Sequence, residues 1–355
     1  MKKSSMVFLV LLSATVLFAQ QRTATRPQQT VKPADQTQQP SGKWFGVVFS
    51  DVLYTVQEPQ LLAPASNTSG RNSFDLTRVQ LGYEHTFNQD FSARIVYDPN
   101  AALLHEGNIH WTNIFPMHAF TIGKIQTSAE QTAEKVFGYR SLGAMLFNRN
   151  GYAPEFDMGF SLYGKLDPQG MMYYTLGVTN GSGTSADPDK IKKYSLNLGL
   201  APDKSSVLEV YADYENFSLG RSVMNAKLIY GIFSRSFALG VEGFYRMKRK
   251  FAGTTDSTNA GGSVFTWFEL TKGLRSVVRI DGLDQDLNND GPSASNPAKP
   301  ISYREVYVNV GLDYTPIPEV HFIPNVIYIK QLEKGSSPII ADYIAARLTA
   351  AVYFK

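Results

Sequence analysis

The sequence predicts an all-β fold: a transmembrane antiparallel β-barrel of about sixteen strands, with short periplasmic turns and long extracellular loops. Three observations predict it. Apolar residues recur with period two, connectors alternate between short and long, and past the N-terminal leader no apolar run approaches the roughly 18 residues of a spanning helix.

Residues 78–98 show the first of these most plainly. Val79, Leu81, Tyr83, His85 and Phe87 share one face of an extended chain, and Arg78, Gln80, Gly82, Glu84 and Thr86 share the other. After Asn88-Gln89-Asp90 the alternation resumes, with Phe91, Ala93, Ile95 and Tyr97 opposing Ser92, Arg94, Val96 and Asp98. Period two means a strand, and two strands across a three-residue break mean an antiparallel hairpin. A soluble sandwich would bury the apolar face in a core. A membrane barrel turns it to lipid and keeps the polar face around water.

Composition narrows the choice. Charged residues are 18%, and the formal net charge of +3 is too balanced to argue for nucleic acid. The absence of cysteine excludes disulfides and a lipid-modified N-terminal cysteine. Residues 1–19 read as a cleaved signal peptide: Lys2 and Lys3, an apolar run from Met6 to Phe18, then Leu17-Phe18-Ala19. That run, of about 13 residues, is too short to span a bilayer. Residues 20–41, rich in Gln, Thr and Pro, read as a disordered linker, and residues 42–355 as the barrel.

Strand signals follow in order: 43–55, 74–87, 91–98, 108–114, 119–125, 156–166, 171–179 and 191–200. Then come 207–215, 222–233, 237–247, 262–271, 274–283, 303–315, 320–330 and 341–354. Short connectors (88–90, 115–118, 167–170, 234–236, 272–273, 316–319) alternate with mostly longer ones (57–72, 99–107, 126–155, 180–190, 248–261, 284–302). A sandwich has no reason to sort its connectors in this way, whereas an outer-membrane barrel does. Both termini then face the periplasm. Lipid-facing series include Tyr194, Leu196, Leu198 and Leu200, and Met224, Ala226, Leu228, Tyr230 and Ile232. The last strand ends Val352-Tyr353-Phe354-Lys355. A terminal aromatic there resembles the signal read by barrel assembly machinery, although here Phe is penultimate.

Sixteen strands enclose an aqueous lumen. Inward positions carry Arg78, Arg94, Lys193, Lys227, Arg246, Arg279 and Arg347, with Glu84, Asp98, Glu209, Asp213, Glu215, Glu242, Asp281, Glu305 and Asp313 among them. Rings of charge select ions. Mutual neutralisation is the competing reading, since Arg279 and Asp281 sit two apart on one strand. The connector 126–155 is the longest. Ser128-Ala129-Glu130-Gln131 matches a capping box, and predicts a short helix to about Val136, before Gly138. Phe137, Tyr139, Leu142, Met145, Leu146 and Phe147 follow, too apolar for a loop in water. Folding into the lumen as a constriction accounts for them, and Lys124, Lys135, Arg140 and Arg149 then face the eyelet. A surface lid or a trimer contact is the alternative.

Arg78-Val79-Gln80-Leu81-Gly82, then Ala93-Arg94-Ile95-Val96-Tyr97-Asp98, Phe120-Thr121-Ile122-Gly123-Lys124-Ile125 and Tyr139-Arg140-Ser141 resemble the phosphate-selective porin O and P family. The resemblance implies a sixteen-stranded homotrimeric porin with an inward third loop, Lys124 and Arg140 near its constriction, and Arg78 and Arg94 at basic positions of early strands. The family's dense lysine and arginine ladder is interspersed here with acids.

Asp286-Leu287-Asn288-Asn289-Asp290-Gly291 matches the first half of an EF-hand loop, but Pro297 stands where the closing Glu belongs. A string of Asx turns is the simpler reading, with Asp286, Asn288 and Asp290 as the calcium candidate. No cofactor motif is found. The five histidines, at 85, 105, 110, 118 and 321, have no metal-ligand spacing, and no Gly-x-Ser-x-Gly elbow joins a strand to a helix, so no enzyme is expected. The expectation is an outer-membrane porin, surrounded by lipid, giving passive diffusion of small polar or anionic solutes, phosphate among them. The alternative is a structural or adhesive barrel whose loops bind partners.

Overall fold

A computed structural model describes residues 40–57, 72–217, 220–252, 255–285, 287, 304–332 and 342–354. The signal peptide, nearly all of the linker and the calcium candidate Asp286, Asn288 and Asp290 lie outside the described residues. Sixteen strands form one closed sheet. They are β1 (Ser41–Gln57), β2 (Asn72–Thr86), β3 (Phe91–Asp98), β4 (Leu103–Phe115), β5 (His118–Gln126), β6 (Phe156–Lys165), β7 (Met172–Thr179) and β8 (Lys193–Leu200). The second half comprises β9 (Ser206–Asn216), β10 (Ser222–Phe233), β11 (Phe237–Ala252), β12 (Thr255–Thr271), β13 (Leu274–Asp284), β14 (Arg304–Ile317), β15 (Val320–Leu332) and β16 (Tyr343–Phe354). Each pairs with its chain neighbours, and β1 closes on β16 with Gly46 opposite Phe354 and Tyr54 opposite Ala346. Closure leaves no strand edge, which lipid could not satisfy.

The period-two face turns outward as expected. Leu81 and Tyr97 pair on β2 and β3, and both are exposed, as are Tyr194, Leu198, Leu228, Tyr230, Val310 and Tyr314. Most of their inward neighbours are buried, among them Gly82, Val96, Lys193, Asn197 and Asp313. On β10, Leu228 lies outside while Lys227 and Ile229 lie inside.

Three expectations change. The connector expected at 99–107 is a turn of residues 99–102, because β4 begins at Leu103 and a bulge lets Glu106 pair with Val96 and Leu104 with Tyr97. The connector expected at 248–261 is mostly strand: β11 runs to Ala252 and β12 begins at Thr255, with Lys248 opposite Ser257 and Arg246 opposite Asn259. A ribbon that projects beyond lipid keeps its backbone ladder without apolar side chains. Ser41, expected to end the linker, begins β1.

Between β5 and β6 the chain forms α1 (Ser128–Phe137), a 3₁₀ turn at Arg140–Leu142 and α2 (Leu146–Arg149). The N-cap is Thr127 rather than Ser128, and the expected capping box is not formed. Thr127 makes no side-chain cap bond, and its hydroxyl donates instead to the Pro154 carbonyl at 2.5 Å. Gly138 ends α1 in the left-handed conformation (φ 73°), with its N–H on the Glu134 carbonyl, a role that favours glycine.

Outward and inward faces predict different responses on adjacent residues. Leu228→Arg, on the lipid side at mid-strand, should cost about 2–4 kcal/mol of barrel stability in a bilayer. Reversible denaturant unfolding in vesicles measures it, and an unchanged midpoint would remove β10 from the lipid face.

Candidate functional site in the barrel lumen

The segment between β5 and β6 lies inside the barrel, because its side chains pack on inward-facing residues of the far wall. Ala133, Val136 and Phe137 of α1, with Tyr139, Leu142 and Met145, form one cluster with Val207, Ile229, Phe265, Trp267, Val277 and Ile323. Ala129, Leu146, Phe147 and Ala153 form a second with Tyr211, Phe244 and Leu283. Phe137 meets Phe265 and Phe147 meets Phe244, with ring centroids 5.4 and 5.3 Å apart. Burying a large apolar side chain contributes about 1.5–3 kcal/mol, so this contact dominates the docking. The inner wall of β9–β15 is therefore partly apolar, which the charges on those strands had concealed.

Polar groups pin the segment in register. The Arg78 guanidinium donates to both Glu155 oxygens at 2.9 and 2.6 Å. Arg140 donates to Glu155 Oε2 at 2.8 Å and lies 3.0 Å from Glu134. Burial alone would raise the Glu155 carboxyl, but hydrogen bonds and charge from Arg78 and Arg140 hold it down at about 2. Burial, with repulsion from Glu155, pushes the Glu134 carboxyl above its ordinary value against Arg140. Arg149 reaches Glu305 at 2.6 Å and Asp281 at 3.7 Å. Arg279 grips Asp281 through Nε and Nη2 at 2.9 and 2.7 Å, and its Nη1 donates to the Ala144 carbonyl. Arg347 donates to the Leu142 carbonyl and lies 3.4 Å from Asp51. The Tyr139 hydroxyl donates to Asp313 at 2.8 Å, and His321 contacts the same carboxylate at 3.0 Å.

Lys227 is fully buried between Glu130 (3.3 Å) and Glu242 (3.4 Å). One ammonium cannot neutralise two buried carboxylates. Burial raises the Glu130 carboxyl to about 8 against the pull of Lys227, with Glu242 adding to the rise.

Eight of the eleven proposed lumen cations thus sit within ion-pairing distance of a carboxylate. To those above are added Arg94, at 3.2 Å from Glu84 and 3.3 Å from Glu106, and Lys193, at 3.9 Å from Glu215. Arg246 lies over the Tyr152 ring at 4.5 Å. Lys124 is buried at the register position of Gly107 and Met158, and Met158 is on the outer face, so the ladder does not set Lys124 toward the lumen. Lys135 is exposed on α1. The neutralisation set beside the charge ladder in the sequence reading is the arrangement of these eight: Arg78, Arg149, Lys227, Arg279 and Arg347 tie the segment to the wall, whereas Arg94 and Lys193 pair between strands.

The open space lies on the other side of α1, against β4–β9. One void of about 430 Å³ is bordered by Arg94, Asn108, Thr121, Ser161 and Lys193 and reaches Thr127 and Pro154 near the long-connector rim. A second, of about 390 Å³, is bordered by Thr132, Lys135, Tyr173 and Asn197 and reaches Gly170, Asp203 and Lys204 at the short-turn rim. Ser128, Gln131, Tyr163 and Thr175 border both. Of the proposed cations only Arg94, Lys193 and Lys135 border this space. The hydroxyl residues that line it were missed in sequence. Their signal is inward parity: Thr121 next to outward Ile122, Ser161 next to outward Phe160, Thr175 next to outward Leu176.

No family model matches the chain, and no curated protein sequence matches it. Solved structures do. An anion-selective porin from Comamonas acidovorans superposes with a TM-score of 0.66 over 89% of this chain and 100% of its own, at 11% identity. The shared feature is the barrel fold. OmpT, an outer-membrane protein of Vibrio cholerae, gives 0.63 over 89% of this chain and 98% of its own at 10% identity. The outer membrane channel DcaP of Acinetobacter baumannii gives 0.62 over 90% and 99% at 12% identity. At such identities the likeness establishes the fold alone.

The clamp predicts a pH-sensitive docking. Because the Glu155 carboxyl is held below its ordinary 4.5, its contribution is complete above about pH 4.5 and is lost as pH falls toward 2. Glu155→Gln should loosen the segment by about 2–4 kcal/mol at neutral pH, since it leaves the buried Arg78 guanidinium without its carboxylate and Arg140 with Glu134 alone. Trp267, packed against α1, reports it: with Trp44 and Trp111 changed to Phe, emission should shift to the red in the variant, and in the parent on acidification.

Proposed function

We propose that this protein is a passive diffusion channel of a bacterial outer membrane, passing small polar solutes between α1 and the β4–β9 wall. The observation that carries this reading is the pair of voids that share four residues and open toward opposite rims of the barrel. The segment 126–155 is its constriction, held against the apolar wall so that one side of the lumen is filled and the other is left to water. The resemblance to a porin family and the porin and channel neighbours support the reading. It is completed by export through the signal peptide at 1–19, insertion by barrel assembly machinery that reads the final strand to Phe354, and assembly as a homotrimer in outer-membrane lipid.

Selectivity for anions, phosphate among them, is the finer reading from the same resemblance. It rests on Lys193 in the outer void and on Lys135 and Lys204 in the inner one. A closed structural or adhesive barrel is the second class, and the apolar filling of the lumen is what favours it.

A chain without cysteine allows a direct test. In planar bilayers the protein should conduct, and Thr175→Cys should lose about half or more of its conductance on reaction with a bulky thiol-reactive cation, because the label sits in the neck. Conductance unchanged by the label would move the pathway elsewhere, and no conductance from the parent would leave the structural reading. A reversal potential under a salt gradient, with phosphate titrated in, measures the anion preference.

A further inference from the structure

The four residues that border both voids, Ser128, Gln131, Tyr163 and Thr175, carry no charge. We infer that the preferred solutes are uncharged polyhydroxyl molecules of about monosaccharide size, selected by hydroxyl and amide groups on the β5–β8 wall and the facing side of α1. This rests on the channel reading above and names its substrate class.

The wall is built in two neighbouring rungs of the sheet. Thr121, Ser161, Gly177 and Ser195 are successive register partners across β5, β6, β7 and β8. Two residues further along the strands, Tyr163, Thr175 and Asn197 are partners in the same way. All of these face inward. Gly177 keeps the first rung recessed, since a Cβ there would come within 2.4 Å of the Ser195 hydroxyl. Opposite stands α1, whose faces divide by helical spacing. Ala129, Ala133 and Val136 turn to the apolar wall, whereas Ser128, Gln131 and Thr132 turn to the passage. Thr121 is tied to His110, and the Asn197 amide to Ser128 and Glu209, so the groups that approach a solute are Ser161, Thr175 and Ser195 on the wall and Ser128 and Gln131 on α1. Tyr163 and Tyr173, with ring centroids 6.0 Å apart and planes at 36°, add an aromatic surface at the same level.

Such a neck discriminates by desolvation. An anion that sheds water there meets no opposite charge to replace it, since the charged group behind Tyr173 and Asn197 is the Glu209 carboxylate, and the cost is large. The nearest cations on the outer side already have carboxylate partners, Arg94 with Glu84 and Glu106, Lys193 with Glu215. At the inner mouth Asp203 and Glu209 border the same void as Lys135 and Lys204, so two carboxylates stand with two ammonium groups there. A polyol instead exchanges water hydrogen bonds for those of hydroxyl and amide groups that both donate and accept. The C–H face of a sugar ring is apolar enough to rest on an aromatic ring. Voids of about 430 and 390 Å³ fit one small solute at a time on either side of the neck.

The test is osmotic swelling of proteoliposomes holding the purified full chain, with bilayer conductance measured on the same preparation. Glucose, a hexitol and gluconate are compared, since gluconate matches glucose in size and adds one negative charge. Glucose and the hexitol should enter about tenfold faster than gluconate, a ratio that one unreplaced charge–water interaction is enough to produce. Thr175→Asp should lower the rates of all three and widen the ratio. Ser161→Ala with Thr175→Val, which keeps the shape but removes two hydroxyls, should slow glucose several-fold more than it slows chloride conductance. Gluconate as fast as glucose, in a preparation that conducts, would overturn the inference and leave a general channel. Gluconate faster than glucose would overturn it in favour of an anion channel. No swelling and no conductance would overturn the channel reading itself.

Discussion

The arrangement inside this barrel depends on one apolar contact, that of α1 and the turns after it with the inner wall of β9–β15. A closed sixteen-stranded sheet encloses far more space than side chains fill. Here Phe265, Trp267, Ile229 and Val277 point into that space, and water would be a poor neighbour for them. The segment 126–155 supplies the missing apolar surface through Val136, Phe137 and Met145. Once it is docked, the position of every other group in the lumen follows. The charges become fasteners, and the passage becomes the space that the segment leaves on its polar side.

Electrostatics then serves placement more than conduction. Arg279 and Arg347 hold backbone carbonyls of the segment, and Arg78 and Arg140 share one carboxylate at its C-terminal end. Bidentate and charge-assisted bonds are strong and directional, which suits them to fixing register. Lys227 works alone between two carboxylates, and burial with the nearby Glu242 pushes the Glu130 carboxyl above its ordinary value.

The outer face was legible in the sequence because lipid imposes a single rule on it. On β8 and β10 every second residue had to be apolar, and Tyr194 through Leu200 and Met224 through Ile232 obey. The local pair Arg279–Asp281 was legible for the same reason, since two residues apart on a strand means one face. The pairing of Arg78 with Glu155 was not, because it spans 77 residues and exists only after the segment folds inward. Nor was the inner apolar wall. On β12, Val264, Phe265, Thr266, Trp267 and Phe268 read as apolar on both faces, and period two cannot say that one face meets lipid and the other meets a helix. The projecting ribbon of β11 and β12 escaped for the opposite reason: outside lipid, backbone pairing alone sustains it.

The two-sided character of β12 also matters before the barrel exists. A strand whose faces will meet lipid on one side and protein on the other has no face suited to water. The stretch Val264–Phe268 joins high β-propensity, aromatic bulk and no charge, the composition of a segment that seeks other strands. Its partners arrive at different times: α1 is earlier in the chain, β13 directly follows, and the seam between β1 and β16 can close only when the last strand is present. Until those partners are in place the chain must therefore be kept from others of its kind. The residues that seat the inward segment in the finished barrel are among those that most need cover from other chains before it closes.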